Sequence, residues 1–243
     1  TLRNGATDGR GGGGIYSTNR SRPTLRNLII TNCFGTRGGG ILCWDSNARI
    51  ENVTLTENTA QAHGGGICLM GTSGAILSNI ISSNNTAETG DGGGIASFSS
   101  RNVSIRGGLV SENSTRRSGG GLYSQGQQIS VSDMVLRDNS ANEGRGGGIY
   151  ANGHIILTRV FVIGNSAEDN GGGIFINGIR PSFEKVLAAA NECEGFGGGI
   201  YLSGEAAGRC NPNLINVTIA MNSAEEDGGG IYCHDNGNPV MRN

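Results

Sequence analysis

Aromatic residues make up only 5% of this 243-residue chain, with a single Trp, and hydrophobic residues reach only 35%. So few large apolar side chains do not fill the wide core of an ordinary layered domain. Lysine is almost missing: Lys185 stands alone beside 17 arginines. No run of 18 or more apolar residues occurs, so no direct membrane insertion is expected. No basic, apolar, small-residue leader opens the chain. Helical period 3.6 is absent at useful length. With a net charge of −2 and a pI near 5.9, the chain lacks the basic footprint of a nucleic-acid binder.

What the chain has instead is glycine, 45 residues of it. The glycines do not recur every third residue, which excludes collagen. Small net charge and regularly spaced Ile, Val and Leu exclude disorder. Three glycines followed by an aliphatic residue occur nine times, the aliphatic being Ile15, Ile41, Ile67, Ile95, Leu122, Ile149, Ile174, Ile200 and Ile231. The mean interval is 27 residues. An Asn keeps step six or seven residues before each block from the second onward: Asn32, Asn58, Asn85, Asn113, Asn139, Asn165, Asn191 and Asn222.

One repeat, Gly38 to Ala60, reads as a corner, a short strand, a turn at Trp44 to Asn47, further short strands around Ile50, Val53 and Leu55, and a turn back. Short strands joined by turns at this period are the mark of a parallel β-helix. The expected fold is all-β, a single solenoid segment over residues 1–243, with about nine rungs and no caps. Rungs stacked about 4.8 Å apart would make a rod roughly 38 Å long. Glycine permits tight corners and close backbone approach, and the Asn column is expected to bridge rungs through its amides.

Asn139-Ser140-Ala141 with Gly146 to Tyr150, Asn165-Ser166-Ala167 with Gly171 to Phe175, and Asn222-Ser223-Ala224 with Gly228 to Tyr232 resemble the repeats of chlamydial polymorphic outer membrane proteins. The resemblance spans essentially the whole chain. It implies a right-handed pectin-lyase-like β-helix in an extracellular or cell-surface protein, often an adhesin. The family usually carries Phe three residues before the Asn, where this chain has Leu55, Ser82, Val110, Leu136, Val162, Ala188 and Ile219. Both ends fall inside a repeat, so the chain is expected to be part of a longer protein, whose remainder would be one of its partners.

In a solenoid, equivalent positions become rows. The column before the glycines, Arg37, His63, Asp91, Ser118, Arg145, Asn170, Phe196 and Asp227, is chemically mixed and offers no carboxylate ladder. Asp133, Arg159 and Lys185 fall on successive rungs; they read as a solvated charge ladder rather than a proton-transfer site. His63, His154 and His234 lie in unrelated phases, and Cys233-His234-Asp235 is too small a donor cluster for a metal site. No catalytic residue, metal or cofactor is expected.

The six cysteines include no Cys-x-x-Cys pair. In an oxidising compartment, Cys210 could bridge to Cys193 or Cys233 and staple the long repeat around Gly204 to Arg209. Cys43 and Cys233 share the parity of the inward Ile, which makes them candidate core thiols. Sequons mark Asn19, Asn52, Asn84, Asn102 and Asn216 as candidate glycosylation sites; Asn113 also begins one, but a ladder position suits it badly.

Two outward columns are unusually apolar. Tyr123, Tyr150, Phe175, Tyr201 and Tyr232 form a candidate aromatic ladder, and Ile81, Leu109, Val135, Phe161 and Leu187 form a candidate interaction surface. Like side chains stacking on themselves would account for either column. A protein partner or a like protomer would also do so, and glycans are a further candidate ligand. The expected function is a non-catalytic structural or adhesive rod outside the cell. Alternatives are a subunit of a lateral or end-to-end filament, or a polysaccharide lyase or hydrolase.

Overall fold

The computed structural model describes residues 1–9, 11–204, 210–235 and 237–243. They form a parallel β-helix with no α-helix among them. The nine aliphatic residues after the glycines lie in one continuous register, from Ile15↔Ile41 through Ile95↔Leu122 to Ile200↔Ile231. The expected columns are therefore columns in space.

Each turn has three faces and a narrow strip. The first face is the strand after the glycines, such as Ile41–Trp44. The second and third share one long strand, such as Arg49–Thr56, bent at Asn52. In mid-chain a single bent strand crosses all three faces, as in Ile95–Ser111, Leu122–Arg137 and Ile149–Ile163. Together these faces make an 18-stranded sheet, and two-residue strands such as Ser140–Ala141 contribute to an 8-stranded strip.

One residue with left-handed φ turns each of three corners. The first glycine of the block does so between strip and first face, with φ from +61° at Gly38 to +73° at Gly228. Asn27, Asn52, Asn79, Gly107, Asp133, Arg159, Lys185 and Asn216 do so between the second and third faces. Asn32, Glu57, Asn84, Glu112, Asp138, Gly164, Ala190 and Met221 do so between third face and strip. Gly and Asn reach this region easily, whereas other side chains pay roughly 1–2 kcal/mol. The second glycine of each block serves a different need. A Cβ on Gly120 would lie 2.5 Å from the carbonyl oxygens of both Gly147 and Ser140.

The interior holds three aliphatic stacks, one per face, for example Ile149, Leu157 and Val162 in one turn. Each fully buried Ile or Leu contributes about 1.5–3 kcal/mol. All four prolines, Pro23, Pro181, Pro212 and Pro239, precede the second-face strand. The carbonyls of Pro23, Pro181 and Pro212 still accept rung-to-rung bonds there, Pro23 from Arg49 at 2.9 Å, and no N–H is needed from a strand's leading residue.

The Asn ladder runs from Asn58 to Asn222. Asn58, Asn85, Asn113, Asn139, Asn165 and Asn191 each donate N–H and Nδ2–H to the Oδ1 of the next Asn, at 2.9–3.1 Å. Asn32 is a correction: it does not belong to this ladder. It turns the corner one residue earlier, with φ 54°, and donates to Asn4. Cys33 occupies the ladder position and gives only its N–H, to Asn58 Oδ1 at 3.0 Å. Asn tolerates the left-handed corner as readily as the ladder, so residue type alone could not separate the two places.

Candidate functional site

The two outward apolar columns differ in what covers them. On the first face the rings of Tyr123, Tyr150, Phe175 and Tyr201 stack nearly parallel, with centroids 5.0, 5.1 and 4.7 Å apart, and Tyr232 continues the stack at 5.4 Å. The column points away from the core, yet Phe175 is 1% exposed and Tyr201 only 7%. The mixed column before the glycines lies over it. His63 packs on Phe98 at 4.6 Å, Arg145 sits over Phe175 at 5.2 Å, and Phe196 packs on Tyr232 at 4.7 Å. Further toward the N-terminus, Arg37 covers Trp44 at 5.6 Å in the same way. Sequence reasoning missed this cover because it treated the pre-glycine column as a site in itself. The repeated Arg and aromatic residues there, one glycine block away from aromatic residues, were the available signal.

On the third face the described residues form no such cover. Ile29, Thr54, Ile81, Leu109, Val135, Phe161, Leu187 and Thr218 align in register. Ile81 is 43% and Phe161 46% exposed, and Leu109, Val135 and Leu187 are half-buried. The structure extends the row to Ile29, which the sequence reading did not include.

Beside this row lie Asp133, Arg159 and Lys185. Arg159 donates to both carboxylate oxygens of Asp133, at 2.5 and 2.9 Å. The bonded guanidinium holds the Asp133 carboxyl below the usual range, and the carboxylate in turn raises Arg159. An arginine stabilised in its charged form is the opposite of a proton acceptor. Lys185 is exposed one rung further on, and among the described residues no ion pair includes it.

The other titratable groups are scattered. His63 Nδ1 accepts the N–H of Asp91 at 3.0 Å, and burial lowers its pKa. His154 lies far along the chain in another phase, and His234 Nδ1 is 3.0 Å from Asp235. Among the described residues no three His, Cys, Asp or Glu side chains converge as a metal site. A shallow depression of about 490 Å³ on the strip is lined by Glu168, Glu192, Glu194 and Glu225 around Ala141, Ala167, Cys193 and Ala224.

All six thiols are free. The Cys210–Cys193 bridge is corrected: Cys210 packs in the main core, while Cys193 belongs to a separate cluster with Ala141 and Ala167 on the strip. Cys210 and Cys233 are likewise both free thiols, the first buried and the second exposed. Residues 205–209 of the loop they would staple lie outside the described residues. Cys43 is a buried core thiol as expected from its parity, whereas Cys233 is exposed in the last turn. Asn19, Asn52, Asn84, Asn102 and Asn216 are all exposed, and all have left-handed φ of 50–57°. Asn113 is buried in the ladder with both amide groups engaged.

A family model described as a right-handed β-helix region matches residues 1–154. No curated protein and no solved structure matches the chain.

Proposed function

The chain belongs to the right-handed β-helix family, and on that premise we propose that it is a non-catalytic, extracellular or cell-surface rod with a structural or adhesive role. One observation carries this reading: the polar residue that repeats in the interior, the ladder Asn, is consumed in holding turns together. Each buried ladder Asn spends its amide on the neighbouring rungs. In the row of Asp133, Arg159 and Lys185, the Arg159 guanidinium is bonded to both carboxylate oxygens of Asp133. The function of a fold rests on such sites, and a stiff, self-satisfied column is suited to spacing and presentation. The likeness of the Asn-Ser-Ala and Gly-Gly-Gly-Ile-Tyr blocks to polymorphic outer membrane protein repeats supports placement at a cell surface.

Two measurements test this. Antibodies against the chain should label intact cells of the source organism; labelling only after permeabilisation overturns the location. Incubation with acidic and neutral polysaccharides should release no new reducing ends or unsaturated sugars; sustained release that is lost in Arg159→Ala would make the chain an enzyme.

A further inference from the structure

The third face carries a pattern that is complementary to itself. Around Phe161, the adjacent rungs place Val135 on one side and Leu187 on the other. Each rung also has a residue at the corner shared with the second face: Asp133 beside Val135, Arg159 beside Phe161 and Lys185 beside Leu187. Along the rod the corner therefore reads negative, positive, positive. Arg159 engages Asp133 within its own chain, and Lys185, in no ion pair among the described residues, stands two rungs from that carboxylate, which keeps lone pairs for a second cation.

We propose that this face binds a second copy of the chain in an antiparallel pair, with a two-fold axis through Phe161 along the strand direction. That rotation lays the apolar row on itself. Val135 of one copy meets Leu187 of the other, and Thr218 meets Leu109. At the corner, Lys185 of one copy meets Asp133 of the other, twice by symmetry, as an isologous contact requires. The two Arg159 side chains lean away from the axis, each toward its own Asp133. The parallel alternative is worse. It sets each corner against the opposite corner on the same rung, so Asp133 would face Asp138 and Lys185 would face Ala190. Like charges placed together cost free energy and select against that orientation.

The overlap covers five rungs from Leu109 to Thr218, a strip about 20 Å long at a spacing of about 4.8 Å. Such a contact belongs to the small end of the interface range, so the pair is reversible, with a dissociation constant between about 1 μM and 1 mM. The proposal does not depend on whether the rod is adhesive, structural or catalytic.

Sedimentation velocity over a concentration series tests it, with circular dichroism confirming that each variant is folded. The wild type should show a monomer–dimer equilibrium. Phe161→Asp should raise the dissociation constant at least about tenfold. Lys185→Asp alone should weaken the pair by about tenfold, since it sets two carboxylates face to face at each corner. Lys185→Asp with Asp133→Lys should restore it, because Arg159 then pairs with the new carboxylate and the corner pattern is inverted intact. A wild type that stays monomeric up to about 1 mM overturns the proposal. So does a dimer indifferent to Phe161→Asp. A dimer that loses affinity in Phe161→Asp but ignores both charge variants overturns the antiparallel arrangement.

Discussion

Asn113 and Asn139 are joined twice: the main-chain N–H and the Nδ2–H of Asn113 both donate to one oxygen, Asn139 Oδ1, at 3.1 and 2.9 Å. Asn139 also donates to the Val110 carbonyl and passes the same double bond on to Asn165. These links around Asn139 are buried. Asn139→Ala therefore strands two donors and a carbonyl without water. Each buried unsatisfied group costs about 1–3 kcal/mol, so the loss should be at least about 3 kcal/mol. Asn222 is the last ladder Asn among the described residues; it lies half-buried, with its Nδ2 donating to the Ala188 carbonyl, and Asn222→Ala should cost less than half as much. Denaturant unfolding of both variants checks this. Equal losses would mean that the ladder acts only as a set of local turn bonds.

Glycine and alanine should behave in opposite senses at two corners. Gly120→Ala brings a methyl group into the carbonyls of Gly147 and Ser140, both backbone atoms of stacked turns. Neither can retreat without parting two rungs, so a loss of more than about 2 kcal/mol is expected. Ala190 instead holds φ 52° at an exposed corner, where a side chain is a strain rather than a contact. Ala190→Gly should stabilise by up to about 1 kcal/mol, the strain relieved less the extra unfolded-state entropy. Melting curves with shifts of opposite sign are the expected result; destabilisation by Ala190→Gly would remove the corner argument.

The fold was legible because each β-helix turn repeats the same local problems. The glycine block answers the need for close approach, Ile41 and its equivalents fill the core, and Asn58 and its successors satisfy the buried corner. Those answers recur at one period, so the period and the columns can be read directly. Asn32 was misplaced because two neighbouring positions accept the same residue for different reasons. The cover over Phe175 and Tyr232 was not legible either. It depends on side chains reaching from one corner onto the next face, a relation within a turn that column reading does not reveal. Cys210 could be offered a bridge to Cys193 or Cys233 because both lie on adjacent rungs, yet a solenoid sets Cys210 and Cys193 in different clusters.

The thiols should divide by burial. Burial pushes Cys43 and Cys68 up to about 12 and Cys210 to about 11, leaving negligible thiolate at neutral pH. Cys233 is the one exposed cysteine. A brief treatment of the native chain with iodoacetamide should add one label, on Cys233, and denaturant should release all six sites. Intact-mass and peptide analysis read this out. Fast native labelling of Cys43 or Cys68 would show that the turns open more readily than their packing allows.

His63 gives the rod a dependence on pH. Its Nδ1 accepts the N–H of Asp91, and Asp91 accepts the N–H of Ser118 at 3.1 Å, so the neutral ring is part of the turn-to-turn bonding. Burial, then the charges of Arg37 and Arg117, hold its pKa below the usual value, while Asp91 opposes them. In the unfolded chain the imidazole titrates near 6.5. Between that value and the lower folded one, the unfolded chain binds more protons, so stability rises with pH there. Acidification from pH 7 should lower the melting temperature once the pH passes about 6.5, and the His63 contribution should level off below the folded pKa. His63→Gln keeps an acceptor for Asp91 without the titration. The difference between wild-type and variant melting temperatures should therefore change across this window and stay flat above pH 7. A constant difference from pH 7 down to pH 5 would mean that His63 is already free to protonate in the folded rod.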